Sequence, residues 1–381
     1  MLKFEKILPV INTMIRKKAE TERIKPDMIS EAVEILKEIK PDFFVGNNIP
    51  EASYFIGTPL EEAGIRIEGK PFPDEYIAIA TDGSAIAPDP DFAFYYYLIN
   101  IGYVSIRYGA EHFFKADSIP QIFYEDKDLY EVIGENPYLI KGELLQAKML
   151  LNESKVLSQK IEECLASKIP IIPLIDGTLI QWEIKGRDEE YKRHFIKSFE
   201  SLFKKSEESG IPVAGYISGS HSKDVVGLIK YYLQTNGIPE EEIKKFDVLE
   251  DTDVFGKMLS YGERSAVFMS NVPILKYYSA PICFFYLNVG SEIARIEIPY
   301  FVVGNAKNGI FEEILPVQNL ILSQAEKGMG YPIVLKEAHE QAVIKNGDKF
   351  TLENLLKEKL LERGIFFTGD AKLFFKKTRG I

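Results

Sequence analysis

The chain has 381 residues and a formal charge of −11, from 46 Lys and Arg against 57 Asp and Glu. That length suffices for two domains or one elaborated domain with a large core. No apolar run reaches the roughly 18–20 residues needed to span a bilayer, and the amphipathic start MLKFEKILPVINTMIRKKAE lacks a signal-peptide core and a small-residue cleavage site, so a cytoplasmic protein is expected. Cys164 and Cys283 make neither a disulfide framework nor a zinc motif. The acidic balance argues against a protein that coats nucleic acid. It does not exclude a nuclease, because a metal site needs carboxylates and a narrow basic path can cross an acidic surface. No G-x-G-x-x-G follows a strand, which removes a dinucleotide-binding reading.

Residues 1–40 predict a helix, with Ile, Val and Leu recurring at helical spacing amid charge. Residues 41–75 are broken by Pro and Gly and read as irregular. In EYIAIATDGSAIAP the apolar run 76–80 predicts a strand, with Asp82-Gly83 as the turn that follows. FAFYYYLINIGYVSIRYG is rich in aromatic and β-branched residues and suggests two more strands around Asn100 and Gly102. A helix is expected over 139–166, then a buried strand in PIIPLIDGTLIQW ending at Asp176-Gly177. A charged amphipathic helix over 187–208, a strand in IPVAGYISG and a helix in SKDVVGLIKYYLQ complete this part. Three strands, helix, strand, helix, strand, helix is the order of an α/β RNase H-like fold: an antiparallel meander, then strands joined by helical crossovers. The division expected is an N-terminal helical and irregular segment, 1–75, a catalytic core, 76–240, and a C-terminal extension, 241–381. The extension holds a two-strand segment (ICFFYLNVGSEIARIEIPYFVV), helices near 309–327, 333–345 and 351–363, and a basic tail.

Asp82 and Asp176 each close an apolar strand and precede Gly, then Ser84 or Thr178. A carboxylate there can aim an oxygen ligand into a site; the plainer reading is an Asp-Gly turn in which Asp bonds its own backbone. Glu153 has Met149, Val156 and Leu157 as its helical neighbours, so its carboxylate faces the apolar side. A charge there is costly unless it is paired or binds a metal; a buried lysine pair is the alternative. Glu143, with Gln146 and Ala147 beside it, reads as solvated and is the fallback. His339 repeats the pattern among Leu335, Ala342 and Val343, where a satisfied core histidine is the competing reading. Carboxylates with one histidine suit Mg²⁺ or Mn²⁺, and two such ions about 3.5–4 Å apart support phosphodiester cleavage. His339 can instead serve as a general acid or base.

The fragments IATDGS, LIDGTLI, GYISGSHSKDVVGLI, DTDVF with LSYGERSAVF, ARIEIPYFV, GYPIVLKEAHEQAVI and the segment 372–377 together resemble the NurA nuclease family, in the same order, from about 76 to 379. The resemblance implies an RNase H-like fold, a homodimer and Mn²⁺-dependent action on DNA (Mg²⁺ being the other ion that fits). That action is endonucleolytic on single strands and 5′→3′ exonucleolytic on single and double strands. The implied partner is the hexameric HerA helicase–translocase, in DNA end resection for recombinational repair. Asp82, Asp176 and His339 match the family's metal-site residues, with Glu153 as the helix ligand. Arg264, Arg295 and Lys223 are candidates to hold DNA phosphates, Lys223 at a helix start where backbone N–H groups attract anions. Internal ion pairs with Glu263 or Glu297 are the alternative for the arginines. Tyr216 and Tyr331 can stack on bases or pack in the core. Lys372, Lys376, Lys377 and Arg379 form a tail that can touch DNA or HerA. The competing functions are an inactive NurA-like subunit that guides DNA, and another RNase H-like nuclease specific for junctions or hybrids. The dimer surface is expected at the N-terminal helix or near 92–97.

Overall fold

A computed structural model describes residues 3–44, 55–70, 73–133, 135–184 and 186–365. The basic tail, with Lys372 and Lys376, lies outside the described residues. Seven strands carry the architecture: β1 (Tyr76–Ile86), β2 (Tyr97–Tyr108), β3 (Phe113–Phe123), β4 (Ile171–Asp176), β5 (Ala214–Ile217), β6 (Ile282–Asn288) and β7 (Ile293–Pro299). They lie side by side in the order β6-β7-β5-β4-β1-β2-β3. β1, β2 and β3 form an antiparallel meander, and β4 and β5 run parallel to β1. This is the RNase H-like arrangement expected from the element order. Short strands at Thr58–Pro59, Ile67–Glu68, Glu263–Arg264 and Phe268–Met269 extend the same sheet beyond β6. Segments from before 76 and after 240 thus pair into one sheet with the strands between.

Helices cover both faces, which is why the central strands are near-continuous apolar runs. Ile77 and Ile79 of β1 pack toward α2 (Glu143–Cys164), α3 (Glu189–Phe199) and α4 (Ser201–Ser209). Tyr76, Ala78 and Ala80 point the other way, toward two helices of the C-terminal third. Between the faces, α5 (Asp224–Thr235) and α6 (Asp251–Met258) cover the β6 side together with the end of α1 (Phe4–Glu38), where Ala32, Val33 and Leu36 are buried. The last elements are α7 (Leu315–Lys327), α8 (Ile333–Ala342) and α9 (Asn346–Glu362). Among the described residues no helix is long and apolar enough to cross a membrane.

Three local expectations are corrected. Asp82-Gly83 is not a turn, because β1 runs through it to Ile86. Asn100 and Gly102 do not separate two strands but sit inside the twelve-residue β2. The charged helix over 187–208 is two helices meeting at Glu200. Strand pairing decides the first two cases: Asp82 faces Gly102 and Ser84 faces Asn100 in an unbroken antiparallel register.

Arg264 is also corrected, since it is fully buried and cannot reach a DNA phosphate. Its guanidinium makes a two-pronged pair with Glu61, Nη1 to Oε2 at 2.7 Å and Nη2 to Oε1 at 3.1 Å. Glu61 is equally buried and accepts two further bonds, from the backbone N–H of Val267 and Phe311. The carboxylate therefore ties three distant segments together, and the planar fork of Arg suits it where Lys would not. Removing one member leaves the other charged and buried. Glu61→Ala is expected to lower unfolding stability by about 3–5 kcal/mol, read as a fall in the denaturant midpoint.

Candidate active site

The parallel register pairs Thr81 with Ile175. One step further, Asp82 and Asp176 stand on neighbouring strands, about 4.8 Å apart at the backbone, and both project to the α7 and α8 face. Asp176 ends β4, and Gly177 follows with φ +118°, a backbone state that only glycine adopts readily. Surrounding protein raises the Asp176 carboxyl above the usual carboxylate range. Tyr331, whose hydroxyl is placed to donate to it, opposes that rise; the charge of Asp82 adds to it and His339 opposes it. Tyr331 is itself held high by burial and by the charge of Asp176. Its ring meets that of Tyr216 edge-on at 5.3 Å. Tyr216 is fully buried, with its hydroxyl donating to Glu292 at 2.9 Å, so core packing and not base stacking is its role.

His339 comes from α8. Leu335, Ala338 and Ala342 bury the helix's apolar side, while the His339 side chain is 57% exposed at the edge, so it is not a core histidine. Its Nδ1–H donates to Asp82 Oδ2 at 2.8 Å. That leaves Nε2 as the nitrogen open to an ion or a proton. The helix reaches this position because Gly102 faces Asp82 on β2: a Cβ on Gly102 would overlap the backbone of Ala338, Gln341 and Ala342. The next pair along the strands anchors the helix end. Asn100 Nδ2 donates to the carbonyls of Ala342 at 2.8 Å and Gln341 at 3.2 Å, and Ser84 Oγ donates to Ala342 O at 2.5 Å. These are terminal carbonyls without partners inside the helix. Ser84, Asn100 and Gly102 carry no chemistry and were missed as site residues. An isolated glycine within a strand pattern is the signal that marks such a close approach.

Glu153 enters from the opposite face. It is buried on α2, and its carboxylate packs so tightly on Gly83 that a Cβ there would overlap it. Gly83 thus serves helix packing, not a turn. The β4 pairing stops at Thr81 and Ile175, which leaves that flank of β1 unpaired beside Glu153. Glu143, the fallback, is a surface residue paired to Arg187 at 3.1 Å. The structure therefore gathers Asp82, Asp176, His339 and Tyr331 on one face and brings Glu153 to the other side of the same strand. Among the described residues no three Asp, Glu, His or Cys side chains converge tightly enough to hold an ion as they stand. The donor chemistry nonetheless fits a hard divalent cation: carboxylate oxygens and one imidazole, with Asp176 raised first by burial and further by the charge of Asp82.

The remaining basic candidates behave differently. Arg295 is buried, with Nη1 donating to Asp224 at 3.0 Å and Nε to Glu297 at 3.0 Å. The internal pair expected as its alternative is what the chain contains, so it presents no free fork to phosphate. Lys223 is exposed and precedes α5 as expected, but its Nζ donates to Asp247 O at 2.5 Å. The N–H groups of Val225 and Val226 at that helix start are taken by Asp251. Backbone anion binding there is thereby excluded.

A family model of the NurA domain matches residues 77–344. The match covers well over half of the chain, and it spans every residue of the site just described. The chain belongs to the NurA family, a family of nucleases. Among curated proteins none matches. Among solved structures the chain is similar to Marinitoga piezophila Argonaute in complex with 5′ OH guide RNA and target DNA, at 13% identity and a TM-score of 0.26. That likeness covers 82% of this chain and 36% of the Argonaute, so the chain spans about a third of that protein's length. It is also similar to LC9-RNase H1, a type 1 RNase H with the type 2 active-site motif, at 7% identity and a TM-score of 0.20, over 44% of this chain and 75% of the other. Likenesses this distant add nothing to the strand order, which defines the fold by itself.

Two outcomes are expected. Gly102→Ala should push α8 off the sheet, lower stability by about 1–3 kcal/mol as an overpacking change, and open the His339–Asp82 contact; thermal unfolding checks the first part. The second concerns Asp251, which is buried near Asp224 and accepts from the Tyr286 hydroxyl and from the N–H groups of Val225 and Val226. Burial, followed by the charge of Asp224, pushes Asp251 up to about 7, against about 3.9 in an unfolded chain. The folded state keeps a proton that the unfolded state releases, so this group's stabilisation is present below about pH 4 and lost as pH rises toward 7. Asp251→Asn should flatten that part of a plot of urea midpoint against pH.

Proposed function

We propose that the protein is a metal-dependent deoxyribonuclease whose ions are Mn²⁺ or Mg²⁺, held by Asp82, Asp176 and His339 with Glu153 behind them. The observation that carries this reading is the pair of aspartates on adjacent strands with His339 seated on one of them, within the segment that matches the NurA domain. A divalent ion held by these residues would supply polarisation of a scissile phosphate and a lowered pKa for an attacking water. Asp82 fixes the imidazole through Nδ1 and leaves Nε2 unused by that contact. Tyr331 holds the Asp176 carboxylate in place through its hydroxyl. The β1–β2 strand pair, through Ser84, Asn100 and Gly102, keeps α8 at the distance at which His339 reaches Asp82.

The finer reading follows the family: endonuclease action on single-stranded DNA, 5′→3′ exonuclease action on single and double strands, and work with a HerA-type hexameric translocase in end resection and recombinational repair, in the cytoplasm. A homodimer is part of the same reading. The long α1 supports it, because Phe4, Leu8, Met14 and Ile15 lie exposed on its first half, an apolar surface that an isolated chain leaves in water.

Cleavage of a 5′-labelled single strand in Mn²⁺, Mg²⁺ or EDTA tests the central claim. Wild type is expected to cut with Mn²⁺ and not in EDTA, and Asp82→Ala and Asp176→Asn to lose at least about a hundredfold in rate, the scale on which a reaction loses its charge-stabilising groups. A clean, folded wild type that cuts under no condition, with or without the translocase, would overturn the nuclease reading in favour of an inactive DNA-guiding subunit.

A further inference from the structure

A concavity lies beyond the carboxyl ends of β4 and β5, lined by Thr178, Ile217 and Asp224 at the start of α5. It has a volume of about 660 Å³, within the range of small-ligand sites. Trp182 and Phe55 form one wall, with ring centroids 5.7 Å apart. Trp182 is half-buried and Phe55 is exposed. Ser220 and the exposed Lys223 also line the concavity. Asp224 lines the cavity and is only 5% exposed. Its Oδ2 is bound to Arg295, but its Oδ1 has no hydrogen-bond partner among the described residues. A buried carboxylate oxygen left so is costly, and a ligand that brings an N–H donor would remedy it. Thr178 also lines the cavity. It follows Asp176 by two residues, hence by at most about 7 Å of chain.

We propose that this cavity is a nucleotide subsite: it takes one unpaired base of a single DNA strand whose neighbouring phosphate lies at Asp82 and Asp176. The base stacks on Trp182 and Phe55. An N–H of its edge donates to Asp224 Oδ1. Lys223 holds the phosphate on the rim, which sets base inward and backbone outward. Each of the four DNA bases carries at least one edge N–H, and every base has a face to stack, so the subsite is indifferent to sequence. Duplex DNA is not held here, because its bases are already paired. The choice of ligand rests on the nuclease reading; the geometry of the cavity does not.

Trp182 is the single tryptophan of the chain, so its fluorescence reports this cavity alone. The test titrates full-length protein in EDTA, where no cleavage is expected, with a mixed-sequence single strand, an abasic strand of equal length, and a duplex. Quenching by the first and not by the other two is expected. In binding of a labelled strand, Trp182→Leu should weaken affinity about tenfold, the worth of one stacked base. Lys223→Gln, at an exposed side chain whose amide can still donate to the Asp247 carbonyl, should lower the slope of log affinity against log salt by about 0.7, one phosphate on a single strand. Equal quenching by the abasic strand, or an unchanged salt slope, would overturn the proposal. So would a lack of quenching in a protein that cuts single strands with Mn²⁺, and that result would leave the nuclease reading standing. Quenching without any cutting would do the reverse.

Discussion

The approach of one helix to one strand pair governs the site. α8 lies with its backbone against Gly102, so near that a Cβ does not fit, and this sets how far His339 stands from Asp82. Every other element serves that distance. Asn100 and Ser84 hold the last carbonyls of α8. Leu335, Ala338 and Ala342 bury its underside. The parallel pairing of β1 with β4 then delivers Asp176 to the same face. Two carboxylates and an imidazole are brought together by backbone contacts that contain no charged group.

The opposing face obeys the same logic with a different helix. Gly83 admits the Glu153 carboxylate of α2 as Gly102 admits α8. Gly83 and Gly102 lie on neighbouring strands, and each lacks a side chain at the point where its helix comes in. The glycine of Asp-Gly-Ser is therefore fixed in β1 although no turn is made. The second Asp-Gly obeys another rule: Gly177 carries a positive φ and ends its strand. One dipeptide thus serves two physical purposes in the same site.

That difference marks how far the amino-acid order can be read. The alternation of apolar runs and amphipathic stretches yields the strand and helix order, because burial on two faces leaves an unmistakable pattern. Asp82, Asp176 and His339 stand out as polar residues at the ends or edges of apolar elements. Nothing local distinguishes Gly83 from Gly177, since the distinction lies in a helix some seventy residues away. The arginines mislead for the same reason. Arg264 and Arg295 offer themselves as phosphate holders in sequence; Glu297 beside Arg295 is a partner that the sequence does offer, but Glu61 and Asp224 are distant in the chain and only the fold reveals them. The carboxylates that match the two arginines are buried as well, so these pairs leave the surface no more acidic than the composition suggests.

The pair of Glu61 with Arg264 has a consequence for modularity. The segment recognisable as a NurA domain begins at 77, yet the carboxylate that neutralises its buried arginine lies before that point, 203 positions from its partner. The boundary of likeness and the boundary of cooperative folding therefore do not coincide. A chimera that exchanged the first 76 residues for those of a relative would carry its own charge to this place or fail to close around it. Positions 61 and 264 can change together, but neither can drift alone.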